Sequence, residues 1–190
     1  MATALLDPAY RPITAEEFLE MEFGEGRRAE LENGVIYMMT GGTAGHALIQ
    51  GNILTSLGVK LRGSGCRPYG PDLAVKVGPI SVRFPDVSVY CGHPFDRSMD
   101  AEKLLGDPRA VFEVLSPSTS TKDQTTKLGE YRALAGIDTI VFVDPKRELV
   151  RIVQRVGIEG WRDEQFENPH DVDLPSLGIT LSHAEIFARD

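Results

Sequence analysis

The chain has 190 residues, 42% hydrophobic and 25% charged, so it can bury a core without a disulfide or metal staple. Its 20 basic and 28 acidic residues leave a formal charge of −8. That argues against coating nucleic acid by bulk electrostatics but not against acidic residues that hold metal ions. No apolar run of about 18 residues exists and the start MATALLDPAYRPIT lacks a basic-then-apolar leader, so no membrane span or secretion is expected. Cys66 and Cys91 form no CxxC, so structural zinc is not expected, and the cytoplasm is the expected compartment.

No repeat or long linker interrupts the sequence, which reads as a single domain over 1–190. Thr14 with Glu17 predicts a capping box and a short helix to about Met21. Arg28 to Met39 reads as a hairpin turning at Asn33-Gly34. Ile49, Ile53, Leu57 and Leu61 repeat every four positions and predict a helix over Thr43–Leu61. Asp72–Val77 and Val82–Tyr90 read as two strands joined at Gly78-Pro79. Gly92–Asp107 reads as a loop with a short helical piece. Ala110–Leu115, a helix over Thr121–Ala135 and Thr139–Val143 then describe a βαβ crossover with parallel, buried strands. Leu149–Val156 and Trp161–Phe166 extend the sheet, and Ser182–Ala188 closes as a helix. The expected class is α/β: a mixed central sheet with antiparallel hairpins and one parallel crossover, flanked by helices.

Glu113 is the most informative residue, because it lies inside the buried run Val111-Phe112-Glu113-Val114-Leu115. A carboxylate taken out of water must be paired, protonated or metal-bound. Asp86 poses the same problem in Phe84-Pro85-Asp86-Val87-Ser88-Val89. Two acids on neighbouring strands suggest Mg²⁺ or Mn²⁺, since hard oxygen ligands favour these ions. Asp72 competes with Asp86 for that role; Asp86 is preferred because its strand comes next before that of Glu113. Glu30 is a third candidate ligand, with an exposed hairpin charge as the alternative. His46 falls in the first turn of the second helix, on its inward face, where anions are favoured; a core histidine at a helix end is the more frequent explanation of such a residue. No GxSxG, P-loop, GxGxxG or HExxH is present. Ser116-Pro117-Ser118-Thr119-Ser120-Thr121 reads as loop and helix cap.

Taken in order, Ala29-Glu30-Leu31-Glu32-Asn33-Gly34, His46, Pro85-Asp86-Val87-Ser88-Val89 and Val111-Phe112-Glu113-Val114-Leu115-Ser116-Pro117-Ser118-Thr119 resemble the Uma family of restriction endonucleases. Asp123, Lys127, Tyr131, Val143-Asp144-Pro145 and Leu174-Pro175-Ser176-Leu177-Gly178-Ile179 fit the same pattern. The resemblance runs from about Thr14 to Phe187. It implies the PD-(D/E)XK nuclease superfamily, a restriction-endonuclease-like fold, Asp86 and Glu113 as metal-binding acids with Glu30 in support, and Mg²⁺-dependent hydrolysis of DNA phosphodiesters. The lysine that the superfamily places two residues after the glutamate is missing; position 115 is leucine.

The chemistry needs a cation beside the attacking water, and helical geometry assigns it to Lys127. At about 100° per residue Lys127 falls in the apolar arc of Leu128, Tyr131, Leu134 and Ala135, whereas Lys122 points the opposite way; the alternative is a Lys127 at the arc's edge that snorkels to water. Asp86, Glu113 and Lys127 are therefore the expected catalytic set. Mg²⁺ or Mn²⁺ on Asp86 and Glu113 is the expected cofactor, with His46 or nearby arginines on the phosphates. Duplex DNA is the expected partner, and a homodimer suits two-strand cleavage. Arg151 and Arg155 alternate with apolar neighbours on one strand and form a candidate phosphate-binding stripe, or an ordinary solvated edge. The rival reading is a nuclease-fold interaction or regulatory module without activity.

Overall fold

The computed structural model describes residues 11–116, 121–158 and 160–189, the side chains of 121–123 excepted. Helix α1 (Ala15–Leu19) begins as its capping box predicts: the Thr14 hydroxyl accepts from the Glu17 N–H while Glu17 accepts from that of Thr14. It ends two residues before Met21. Strands β1 (Ala29–Glu32) and β2 (Val35–Met38) pair antiparallel across Asn33-Gly34, both with positive φ, as a two-residue hairpin turn demands. Gly34 is required twice over, because a Cβ there would lie 2.4 Å from that of Pro12. Helix α2 (Ala44–Lys60) is capped by Thr43 and buries Ile49, Ile53 and Leu57.

The next stretch departs from the expectation. An unpredicted strand, β3 (Cys66–Tyr69), follows α2, and the strand expected over Asp72–Val77 starts only at β4 (Val75–Gly78). Val82–Tyr90 is two strands, β5 (Ser81–Arg83) and β6 (Val87–Cys91), which lie in different sheets. Pro85 explains the break, since it offers no N–H to a ladder. A short 3-10 turn at Arg97–Met99 precedes β7 (Ala110–Val114), α3 (Thr121–Arg132) and β8 (Thr139–Asp144). The pair β7 and β8 is parallel, with Glu113 beside Phe142. Helix α3 stops three residues short of Ala135. Beyond it the chain turns at Gly136, whose N–H bonds the Asp107 carboxylate where a Cβ would collide with that side chain. Strands β9 (Leu149–Val156) and β10 (Gly160–Phe166), the unpredicted hairpin β11 (Val172–Leu174) and β12 (Ile179–Leu181), and α4 (His183–Phe187) complete the order.

Among the described residues the chain forms a six-stranded mixed sheet, β10-β9-β8-β7-β6-β3, and a four-stranded sheet, β2-β1-β5-β4. One face of the larger sheet, with Phe112, Val114, Val141 and Ile152, packs on α2, α4 and the last hairpin. The other face, with Val111, Ile140, Phe142 and Val153, packs on α3 and on Val75 and Val77 of the smaller sheet. The alternation within β7 thus sends Glu113, two residues from Val111, toward α3 and the smaller sheet. No described helix is long and apolar enough to cross a membrane.

Cys66 and Cys91 face each other across the β3–β6 ladder and form a disulfide, a pairing that the absence of a CxxC could not reveal. Closing a loop of 25 residues restricts the unfolded chain by about 3 kcal/mol. Replacing both cysteines by serine should lower the unfolding free energy by about that amount, and the urea midpoint with it, when measured without reductant. An unchanged midpoint would show that the link adds no stability.

Candidate metal and catalytic site

Phe84-Pro85-Asp86 carries the chain from the smaller sheet to the larger, and Asp86 lands at the entry to β6. Its Oδ2 accepts the Val114 N–H at 2.7 Å and lies 3.3 Å from Nε2 of His46 in the first turn of α2. Gln50, one turn further, donates to the Asp86 carbonyl at 3.1 Å. Asp86 is therefore held from β7 and from α2 at once. The hydrogen bond to Asp86 raises the His46 pKa, burial opposes it, and the charges of Asp86 and Glu113 add to the rise.

Glu113 is 7% exposed. Its Oε1 accepts the Tyr131 hydroxyl at 2.6 Å, and both oxygens lie 3.2 Å from Nζ of Lys127. Tyr131 and Lys127 stand one turn apart on α3, so a single helix face delivers both donors. Burial pushes Glu113 up to about 7; Lys127 draws it down, while Asp86 and Glu30 push it further up.

Glu30 enters from β1. Its Oε1 accepts from the Phe84 N–H and from Lys127, each at 3.3 Å, and its Oε2 from Arg83 at 3.1 Å. Arg83 is 2% exposed and also bonds Glu32 at 2.8 Å and Glu130 at 2.7 and 3.0 Å. Burial works against its charge, but bonds to Glu130 and Glu32 outweigh that and hold its pKa above the usual arginine value. Arg83, Glu32, Glu130, Gln50 and the Tyr131 hydroxyl join the site without being expected from the sequence. Arg83 carried a usable signal, a charge between Val82 and Phe84, the same kind that marked Glu113.

Asp72 lies elsewhere: its side chain is 90% exposed and pairs with Arg28 at 3.2 Å. The exposed stripe expected of Arg151 and Arg155 is half-buried instead, and both side chains are already engaged within the chain. Arg151 is bound to Asp163 at 2.7 and 2.9 Å. Arg155 donates to the carbonyls of Ile137 and Leu134 and lies over the Trp161 ring. The hydroxyl-rich run at 117–120 and the side chains of Lys122 and Asp123 lie outside the described residues.

The donor set suits a hard divalent cation. Glu30, Glu32, Asp86, Glu113 and Glu130 outnumber Arg83 and Lys127, and Asp86 binds the amide of the residue that follows Glu113. Among the described residues no three His, Cys, Asp or Glu side chains converge as a full ligand set. A cation here would take the two carboxylates of Asp86 and Glu113 and keep several waters, as Mg²⁺ does.

The Uma2 family model, described as "Putative restriction endonuclease", matches residues 15–184. Uncharacterized protein slr1290 of Synechocystis sp. is 27% identical over 176 residues, 92% of this chain and 91% of its own. Uncharacterized protein sll1609 of the same organism is 25% identical over 150 residues, 78% and 84% of the two chains. The crystal structure of a "putative nuclease" from Anabaena variabilis matches with a TM-score of 0.77 at 23% identity, covering 93% of this chain and 98% of that one. This last likeness establishes a shared fold. Matched from the first residue of α1 into α4, the chain belongs to the Uma2 family.

Proposed function

We propose that the protein is a divalent-cation-dependent endonuclease that hydrolyses DNA phosphodiesters, with Asp86 and Glu113 as cation ligands and Lys127 as the catalytic lysine. The observation that carries this reading is the Lys127 ammonium, lodged between the carboxylates of Glu113 and Glu30 in place of the lysine missing at position 115. When bound, Mg²⁺ or Mn²⁺ supplies Lewis acidity at a phosphate and lowers the pKa of water. Lys127 donates toward a water at the Glu113 oxygens and offsets the negative charge that grows there during attack. Tyr131 fixes the Glu113 carboxyl group, and Asp86 orients the His46 ring beside the approaching phosphate. A cavity of about 510 Å³ at the carboxyl ends of β7 and β8 is lined by Thr43, Gly45 and Leu115, neighbours in sequence of His46 and Glu113, and by Gln124 and Lys146, and is the entry we assign to the DNA backbone. Cleavage of both strands of a duplex would suit a homodimer.

The test is thermal. Mn²⁺ should raise the melting temperature of the wild type by mass action. Glu113→Gln should abolish the rise while leaving a folded protein. A mutant that keeps the full response would remove Glu113 from the site, and a wild type that neither responds to Mn²⁺ nor cleaves DNA would favour the inactive interaction module.

A further inference from the structure

Glu30 and Glu113 both touch Lys127, but they are held differently. Glu113 is fixed by a neutral phenol and by the lysine itself. Glu30 is fixed by Arg83, whose guanidinium is locked between Glu32 and Glu130. Three donors already occupy the Glu30 oxygens, and two of them are full positive charges. A carboxylate has about four acceptor positions, so a divalent cation approaching Glu30 would meet one open position beside two cations. At Glu113 a divalent cation needs to displace only the lysine, which retains its second partner.

Building on the nuclease reading, we infer that Glu30 is a positioning residue rather than a metal ligand. Anchored by Arg83 and the Phe84 N–H, it holds Lys127 at the edge of the site when Glu113 turns its oxygens to the cation. Arg83 acts one step further back, as the fixed charge that keeps Glu30 turned toward the lysine. The three segments involved come from both sheets and from α3, so the lysine's place depends on how those layers are docked.

Glu30→Gln tests this, because it keeps the side chain's size and an acceptor for Arg83 while turning an N–H₂ group or a neutral oxygen toward Lys127. Mn²⁺ affinity measured by calorimetry should change less than about twofold. For DNA cleavage kcat should fall about tenfold or more, with KM nearly unchanged. In a crystal structure of the variant soaked with Mn²⁺, Lys127 Nζ should lie beyond about 4 Å from the side chain at position 30, outside ion-pair range, whereas in the Mn²⁺-soaked wild type it should stay in contact with Glu30. A tenfold loss of Mn²⁺ affinity would make Glu30 a ligand and overturn the inference, and so would an unmoved lysine or an unchanged kcat. The crystallographic arm does not depend on activity: a wild type that cleaves nothing would defeat the nuclease reading, while a displaced lysine would still establish Glu30 as its anchor.

Discussion

Lys127→Ala is expected to lower metal-dependent DNA cleavage by roughly 100- to 1000-fold, the range for losing one pre-placed charge or donor at the reacting atoms. The expectation rests on geometry that alanine cannot replace. Nζ lies 3.2–3.3 Å from three carboxylate oxygens, and the side chain is shielded between α3 and the two strands that carry Glu30 and Glu113. Two measurements separate a catalytic role from a structural one. Mn²⁺ should still raise the melting temperature of Lys127→Ala, because Asp86 and Glu113 remain. Lys122→Ala, on the first turn of α3, should cleave at the wild-type rate. Equal activity in the two variants would end the assignment of Lys127.

Local chemistry decided what the sequence revealed. The capping box of α1, the Asn33-Gly34 hairpin, the four-residue period of α2 and the parallel crossover all follow from nearest neighbours or helical phase. Glu113 stood out because a single charge interrupts an apolar strand, and helical phase alone placed Lys127 on the packed face of α3. The rest depends on partners distant in the chain. Arg83 meets carboxylates 47, 51 and 53 residues away, and none of these spacings has a local signature. It was also hidden by reading Val82–Tyr90 as one strand, although Pro85 marks where the ladder must stop. The alternation of Arg151 and Arg155 gives the face of β9 they occupy. It cannot tell that Trp161 and Asp163 of β10 and the carbonyls after α3 already engage the two side chains. Strands of three or four residues, β3, β11 and β12, are too short for a period to emerge.

Arg83→Met should produce the largest loss of stability of any single substitution at the site, about 3–5 kcal/mol. The reason lies in what the substitution leaves behind. Methionine fills much of the volume, so packing in the buried slot is nearly preserved. Glu30, Glu32 and Glu130 would then face one another without the guanidinium that bonds all three. Removing one partner from a buried ionic cluster costs far more than the cluster contributes in sum, because the remaining charges stay desolvated. The control follows from the same reasoning. Glu130→Gln added to Arg83→Met removes one of the stranded charges and should recover part of the loss, so the double variant should unfold at a higher urea concentration than Arg83→Met alone. Additive losses would mean that the cluster acts through packing, and that the charge balance between the sheets and α3 is not what holds this corner of the fold together.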